Sequence, residues 1–252
     1  MAGLPRSGST LFTSILNQNE KIYASSNSPL CEIMWHSFYL CNESEQAKAS
    51  KTSHKTKALL TSTVDGFYDD INKEIVFDKA RSWTTKENFE MLSIVFDKPK
   101  SIVLVRDIKD VVKSFIKLRI KNNIKLDIEK DLIDFDQKYH PLIMKPFLSV
   151  KNALQYDTNS LFIDYDNLIK DPQKQLDRLY DYLGVEKYIH NFTNVKNINE
   201  EDDRVYSLKN MHKIRPRVEK IQNNVKISND LENKCNFMND CLKKLGLYEK
   251  IN

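Results

Sequence analysis

The first eleven residues contain a short loop with two glycines, and this loop constrains the fold more than any other stretch. Gly3 and Gly8 stand five positions apart, and Ser9 and Thr10 follow directly. The outline is that of a phosphate-binding P-loop, except that Ser9 stands where a lysine is usually found. The glycines permit a tight turn and bring backbone N–H groups close to an anion. A helix that opens at Ser9 would direct its positive N-terminal end at the same anion.

Arg6 lies inside this loop, and only two residues precede the first glycine. The guanidinium group of an arginine offers a planar set of donors that matches the oxygens of a phosphate or a sulfate. In α/β nucleotide-binding folds a buried strand normally feeds such a loop. Because only Met1 and Ala2 precede Gly3, we expect a very short first strand, or one that begins outside the sequence as given.

Apolar stretches that suit strands alternate along the chain with stretches of helical periodicity. The strand candidates are residues 21–24, 74–78, 101–105 and 160–164. The continuous apolar run at 101–105 is typical of a strand in a parallel sheet that is covered on both faces. We therefore predict an α/β fold of the P-loop NTPase type, with three αβα layers and a central, mostly parallel sheet. The 252 residues are expected to form a single domain over 1–252.

The last third of the chain contains one strong pattern and one segment without a pattern. Residues 227–245 carry apolar side chains at alternating spacings of four and three, which predicts a closing helix. Residues 194–210 are charged and have no clear period, which predicts a loop. A basic cluster follows at 209–220.

Charge and composition argue against several classes of protein. The net charge of +4, from 39 basic and 35 acidic residues, is compatible with an anionic substrate but too small to indicate nucleic-acid binding. No apolar run approaches the roughly 20 residues of a membrane span, and no signal-peptide pattern is visible. The four cysteines form neither a CxxC pair nor a zinc-site spacing. We expect a cytoplasmic protein with reduced thiols and no metal ion.

Basic residues follow three of the predicted strands. Arg6 lies in the first loop, Lys79 and Arg81 follow the strand at 74–78, and Arg106 follows the strand at 101–105. The carboxyl ends of parallel strands face a common crevice, which is the usual ligand site of such folds. Each residue alone could be a solvated loop residue. Together they predict a cationic crevice that suits a dianionic nucleotide.

Two motifs resemble the cofactor-binding motifs of one enzyme family. The stretch Pro5-Arg-Ser-Gly-Ser-Thr-Leu11, preceded by Gly3, resembles the 5′-phosphosulfate loop of sulfotransferases that use 3′-phosphoadenosine 5′-phosphosulfate (PAPS). Residues 103–115 are similar to the segment in which these enzymes bind the 3′-phosphate, through an arginine at a strand end and a serine eight residues later. Arg106 and Ser114 occupy those two positions.

Weaker similarities to the same family extend over most of the chain. Residues 165–185 resemble a packing segment, and residues 208–216 resemble a basic loop that closes on the nucleotide in some members, although they could equally be an ordinary charged loop. The cofactor-binding residues that the resemblance implies are Pro5, Arg6, Ser7, Gly8, Ser9, Thr10, Arg106, Ser114, Lys213 and Arg215. The RKGxxGxWK segment of the cytosolic small-molecule members is absent. Its absence favours the branches that modify carbohydrates or proteins.

The resemblance implies in-line transfer of a sulfuryl group from PAPS to a hydroxyl or an amine, without a metal ion. Such a transfer needs positioning, a base for the nucleophile and cations for the developing charge. Arg6 and Lys79 are the candidates for stabilising charge on the leaving phosphate. Glu32 is the leading candidate for the base and His36 the second, because related enzymes place a Glu or a His shortly after the second strand.

Both candidate bases also have a purely structural interpretation. Glu32 and His36 are four residues apart, so both could lie on one face of a helix. Glu32 could serve only to stabilise the helix N-terminus, where acidic residues are common. His36 could pack beside Trp35.

Two other functions stay open from the sequence. A P-loop kinase or NTPase would need a lysine in the loop and a strand-end aspartate for Mg²⁺. Ser9 argues against the first requirement, whereas Asp78 and Asp107 leave the second open. A catalytically inactive protein that binds a nucleotide or a polyanion would need the phosphate-binding arginines, but neither Glu32 nor Lys79.

Overall fold

The computed structural model describes residues 1–125, 127, 131–135, 142–156, 159–220 and 224–251. The strands are β1 (Ala2–Gly3), β2 (Ile22–Asn27), β3 (Ile75–Lys79), β4 (Ser101–Val105) and β5 (Ser160–Asp164). The α-helices are α1 (Ser9–Leu16), α2 (Leu30–Glu43), α3 (Glu45–Ser50), α4 (Thr56–Phe67), α5 (Lys86–Val95), α6 (Ile108–Lys121), α7 (Met144–Gln155), α8 (Tyr165–Lys170), α9 (Pro172–Leu183), α10 (Asn229–Lys244) and α11 (Leu247–Ile251). Two 3₁₀ turns lie at Thr52–Lys55 and Asp203–Tyr206.

The strands pair in parallel throughout the described part of the chain. β4 lies between β1 and β5, and β2 pairs with β3. The Ala80 N–H donates to the Met1 carbonyl (3.1 Å), and the Gly3 N–H donates to the Arg81 carbonyl (3.5 Å), so the chain after β3 runs beside β1. The strands therefore follow the spatial order β2, β3, β1, β4, β5. This order brings the loops that follow β1, β3 and β4 to one edge of the sheet.

Side chains of β4 alternate between two apolar layers. On one face, Val103 and Val105 pack with side chains from α2, α6, α7 and α10. On the other face, Ile102 and Leu104 pack with side chains from α1 and α9. Full burial of one such side chain contributes about 1.5–3 kcal/mol. Helices therefore cover both faces of the parallel sheet, which confirms the predicted α/β fold.

Gly3 fixes the start of the first loop against the central strand. It has a φ of +129°, which L-residues with a side chain rarely adopt, and a Cβ atom there would lie 2.1 Å from the Leu104 carbonyl oxygen. The Leu4 N–H donates to the same oxygen over 2.9 Å. Gly3 therefore permits a close backbone approach between the start of the loop and β4.

The closing helix follows the predicted apolar stripe. α10 buries Leu231, Cys235, Met238 and Leu242, and Ser228 caps its N-terminus by accepting a hydrogen bond from the Leu231 N–H. None of the helices in the described residues combines the length and the apolar character that crossing a lipid bilayer requires.

Candidate active site

The glycine loop ends in an open helix N-terminus. Gly8 is the N-cap residue of α1 with a φ of +83°, and among the described residues no side chain caps this helix end. The first turn of α1 carries no acidic residue. Its first N–H groups therefore point, with the positive end of the helix dipole, at the space above the loop. This geometry suits a bound anion.

The two predicted phosphate motifs meet at the side chain of Arg6. Its Nε donates to the Ser114 hydroxyl oxygen over 3.0 Å, although the two residues are 108 positions apart. A guanidinium nitrogen of Arg106 donates to the Arg6 carbonyl over 3.0 Å. The structure therefore brings Arg6, Arg106 and Ser114 into one cluster.

Tyr165, the first residue of α8, lies under both motifs. The Arg106 guanidinium lies 4.1 Å from the centre of the Tyr165 ring, a cation–π contact that holds the guanidinium plane. A Cβ atom on Gly8 would come within 2.8 Å of the same ring. The sequence assigned this tyrosine only to packing, whereas it shapes the wall of the site.

The cluster opens into a cleft of about 690 Å³ that is strongly cationic. Its basic lining residues are Arg6, Arg81, Arg106, Lys117, Lys121, Lys209, Lys213, Arg215 and Arg217. Among the described residues that line it, Glu219 carries the single carboxylate, and this carboxylate pairs with Arg215 over 2.7 Å. An anionic ligand would therefore find its charge compensated on several sides.

Burial affects the arginines at the base of this cleft. Burial, together with the neighbouring charges of Arg81 and Arg106, lowers the pKa of Arg6 to about 10. Burial also lowers the pKa of Arg81. At a pKa of about 10, Arg6 still carries its charge at neutral pH. Like charges that crowd in a poorly solvated place are stabilised by an anion between them.

A small pocket of about 20 Å³ lies beside the glycine loop, at the ends of β1 and β3. Polar groups from four parts of the chain line it, namely Ser7, Ser9, Asn27, Lys79, Arg81 and His212. The side chain of Lys79 is only 6% exposed, and its ammonium lies 3.4 Å from a carboxylate oxygen of Glu201. Burial lowers the pKa of Lys79, and the charge of Glu201 opposes that shift.

Residues 199–213, which we call the strap, close one side of both cavities. Glu201 accepts a hydrogen bond from the Asn27 N–H over 3.1 Å, and the Met211 carbonyl accepts one from Arg6 over 2.5 Å. Asn199 donates to the Ala24 carbonyl over 2.7 Å. Apart from the 3₁₀ turn at Asp203–Tyr206, the strap is irregular, as the sequence predicts for residues 194–210.

Most of the predicted cofactor-binding residues lie on the large cleft. Those that line it are Arg6, Gly8, Ser9, Thr10, Arg106, Ser114, Lys213 and Arg215. Pro5 and Ser7, which also belong to the loop, are buried and do not line the cleft. The Ser7 hydroxyl donates to the Leu4 carbonyl over 2.6 Å and so stabilises the turn from below. Lys79, a predicted catalytic residue, lines the small pocket next to Ser9.

The two predicted bases lie elsewhere. Glu32 on α2 has a side chain that is 64% exposed, pairs with Lys145 over 3.7 Å and lines a separate groove of about 510 Å³. His36, one turn further along α2, is exposed and lies outside these three cavities as far as the described residues define them. The structure therefore does not bring Glu32 or His36 to the cationic cleft.

Sequence reasoning missed the acidic side of the strap. Glu201 approaches Lys79 across 122 positions of sequence, a contact that no local pattern encodes, and Asp203 contacts His212 within the strap. The one available signal was the basic cluster at 209–220, which includes His212. In the described residues, no three or more His, Cys, Asp or Glu side chains group in a way that could hold a metal ion.

The parallel sheet, the glycine loop at its edge and the cationic cleft define an α/β protein with a P-loop-like anion site. Residues 1–189 match the family model that is described as the sulfotransferase family. The chain belongs to the sulfotransferase family. No curated protein matches it.

Two solved structures are similar to this chain. A sulfotransferase domain from the curacin biosynthetic pathway is 19% identical, with 74% of this chain and 75% of that one covered and a TM-score of 0.46. A sulfotransferase domain from the Synechococcus PCC 7002 olefin synthase is 18% identical, with 94% and 92% covered and a TM-score of 0.48.

Proposed function

We propose that this protein transfers a sulfuryl group from PAPS to a hydroxyl or an amine of a carbohydrate or protein acceptor. The observation that carries the proposal is the crowding of Arg6, Arg81 and Arg106 at the base of one cleft, next to an uncapped helix N-terminus. Family membership supports the sulfuryl transfer. The absence of the RKGxxGxWK segment supports a carbohydrate or protein acceptor.

The residues present fit a nucleotide that carries phosphate groups at both its 3′ and its 5′ positions. Arg106 and Ser114 would hold the 3′-phosphate. The Nε of Arg106 is buried and has no hydrogen-bond partner within the described part of the chain, so it can still bind an anion. The N-terminus of α1, with Ser9 and Thr10, would hold the 5′-phosphosulfate end. Lys213 and Arg215 would contact the nucleotide from the opposite wall.

The catalytic role of these side chains is electrostatic. PAPS supplies an activated sulfuryl group and a phosphate leaving group. We assign to Arg6 and Lys79 the stabilisation of negative charge on the leaving oxygen, because cations in a poorly solvated pocket stabilise such a transition state strongly. Fixed positions of loop and helix supply the orientation that an in-line transfer requires. Glu32 could act as base only for an acceptor that reaches it from the separate groove, and His36 does not line that groove.

A thermal-shift titration tests the donor assignment. We expect 3′-phosphoadenosine 5′-phosphate to raise the melting temperature, because ligands that bind only the native state stabilise it. ATP with Mg²⁺ should have little effect. If only ATP with Mg²⁺ stabilises the protein, the kinase or NTPase alternative replaces this proposal.

A matched pair of variants locates the binding site. Arg106→Ala removes charge-assisted hydrogen bonds and should weaken 3′-phosphoadenosine 5′-phosphate binding by about 30-fold, or about 2 kcal/mol. Lys48→Ala removes an exposed cation that pairs with Glu43 on the surface, and should leave the affinity unchanged. Calorimetric titration measures both. An affinity within twofold of wild type in Arg106→Ala would contradict the assigned 3′-phosphate site.

A further inference from the structure

A buried histidine and a partly buried aspartate of the strap form a hydrogen-bonded pair at the junction of the two cavities. His212 Nδ1 lies 2.6 Å from a carboxylate oxygen of Asp203, and the backbone N–H of His212 donates to the other oxygen over 3.2 Å. The His212 side chain is 8% exposed. It lines both the cationic cleft and the small pocket that contains Lys79 and Ser9.

The contacts of this ring determine which nitrogen carries the proton. Nδ1 faces two carboxylates, that of Asp203 and, at 3.5 Å, that of Glu201, so Nδ1 is the protonated nitrogen of the neutral ring. Nε2 has no hydrogen-bond partner among the described residues. The Tyr206 ring packs edge-on against the imidazole and limits its rotation. Nε2 is therefore a free acceptor in a fixed place.

The charge state of the ring suits an acceptor role. Burial lowers the pKa of His212, and the positive charge of Lys79 acts in the same direction, whereas Glu201 and Asp203 oppose the shift. Arg81, on the same small pocket, adds a further positive charge to the surroundings. The imidazole is therefore neutral at pH 7 and can accept a proton.

We propose that His212 is the general base of the sulfuryl transfer and that Asp203 is its positioning residue. The inference rests on the proposed function, since it places the acceptor hydroxyl at the junction of the cleft and the small pocket. His212 Nε2 takes the proton as the hydroxyl oxygen forms a bond to sulfur. The bond from sulfur to the phosphate oxygen breaks, and its electron pair stays on that oxygen. The products are the sulfate ester, 3′-phosphoadenosine 5′-phosphate and one proton, which His212 later releases to water.

Other titratable groups fit this role less well. Glu32 and His36 lie outside the two cavities, and Glu32 pairs with Lys145 on the surface. Glu201 lies close to the site, but its carboxylate neutralises the buried ammonium of Lys79. Only the His212–Asp203 pair, among the described residues on these two cavities, combines a free acceptor nitrogen with a carboxylate that holds the ring.

The activity test uses the full chain and ³⁵S-labelled PAPS. The acceptors are a tyrosine peptide, an N-acetylglucosamine oligosaccharide and 4-nitrophenol, and labelled sulfate release to water is measured in parallel. Loss of a general base costs roughly 10²–10⁴-fold in rate, so His212→Gln should lower kcat by at least about 100-fold with little change in the affinity for 3′-phosphoadenosine 5′-phosphate. Asp203→Asn should lower kcat by at least about tenfold. His54→Gln, a change of an exposed histidine on a 3₁₀ turn, should match wild type.

The pH profile separates a base from a structural role. Only the neutral ring can accept a proton. The kcat/KM of the wild type should therefore be at its maximum at pH 7 and should decrease as the pH is lowered below about 6.5, the ordinary pKa of histidine. His212→Gln should lose this acidic limb. If His212→Gln keeps more than half of the wild-type kcat, or if a Glu32→Gln, His36→Gln double variant loses activity while His212→Gln does not, the proposal is wrong.

A spectroscopic measurement on the wild-type protein does not depend on folding of the variants. Long-range ¹H–¹⁵N spectra between pH 5 and 9 should show His212 as the neutral ring with its proton on Nδ1 at pH 7.5. A cationic ring at that pH overturns the proposal. Failure of 3′-phosphoadenosine 5′-phosphate to bind wild type would instead refute the proposed function, so the two failures are distinguishable.

Discussion

The two walls of the cleft are built in different ways. One wall consists of the glycine loop with β1, α1 and α6, and its key residues belong to two short sequence motifs that meet where Arg6 donates to Ser114. The other wall is the strap, whose contacts to the body join residues 122, 174 and 205 positions apart. A wall of the first kind can be recognised from a motif. A wall of the second kind becomes visible only in the folded structure.

The walls also differ in what stabilises them. Behind the glycine loop lies the apolar layer of Phe12, Ile15 and Leu16, all fully buried. The strap has only a small apolar cluster, in which Leu208 and Met211 contact Leu118, and otherwise depends on hydrogen bonds and ion pairs. Polar contacts of this kind contribute less net stability than the apolar layer does. The difference predicts where substitutions should have the largest effect.

The largest effect is expected at Gly3. A methyl group there would meet the Leu104 carbonyl at 2.1 Å and would also need an unfavourable φ, so Gly3→Ala should lower the free energy of unfolding by at least about 3 kcal/mol. Gly66→Ala on α4, where a Cβ meets nothing within 4 Å, should raise it by about 0.5–1 kcal/mol. Urea unfolding followed by circular dichroism measures both. Equal free energies of unfolding for the two variants would contradict the claim that the glycine-loop wall requires a glycine at position 3.

The next effect concerns the ion pair that links β3 to the strap. Lys79→Met removes the ammonium that pairs with the carboxylate of Glu201, which is only 9% exposed. The free energy of unfolding should fall by about 3 kcal/mol, the lower end of the range for broken buried ion pairs. The loss stays at this lower end because Glu201 still accepts a hydrogen bond from the Asn27 N–H. A Lys79→Met, Glu201→Gln double variant should recover most of that loss.

A surface pair provides the control for this prediction. Lys21 pairs with Glu74 over 3.5 Å, and both side chains are more than half exposed, so Lys21→Met should change the stability by less than about 0.5 kcal/mol. Chemical denaturation at pH 7 measures all three variants. A loss in Lys79→Met as small as that in Lys21→Met would show that the pair does not hold the strap.

The smallest effect is a pH dependence on the glycine-loop side. His190 stacks on Tyr180, whose hydroxyl lies 2.9 Å from Nε2, in the layer that also covers α1. Burial lowers the pKa of His190 to about 4. Because the folded pKa lies below the ordinary value of about 6.5, the stability is fully present above pH 6.5 and is lost as the pH falls towards 4.

With allowance for solvent screening, we expect the protonation of His190 to lower the free energy of unfolding by roughly 1–2 kcal/mol between pH 7 and pH 4. His190→Phe should reduce the slope of stability against pH in this window, whereas His54→Phe, at an exposed position, should keep it. Urea titrations at pH 7, 5.5 and 4.5 measure the slope. An unchanged slope in His190→Phe would assign the acid sensitivity to other groups.

The sequence predicted those parts of the molecule that short stretches encode. The four strand candidates, the stripe on α10 and the convergence of basic strand ends follow from periodicity and from the geometry of parallel sheets. Arg6 and Ser114 could be assigned to one site because each belongs to a motif. The contact of Glu201 with Lys79 could not, because the strap has no periodicity and its position depends on the finished fold. The assignment of the base to Glu32 or His36 relied on an analogy of position, and α2 directs Glu32 into a different groove.

The ion pair between Lys79 and Glu201 has a consequence for ligand exchange. The ammonium already has an anionic partner in the protein, so a donor whose sulfonate approaches Lys79 replaces one anion with another. Small counter-ions from the solvent take little part in such an exchange. Donor affinity should therefore fall less steeply with ionic strength than the number of basic side chains in the cleft would suggest. If the proposed donor binds at Lys79, this buried cation would have an anionic partner in both states, the carboxylate of Glu201 in one and the ligand in the other.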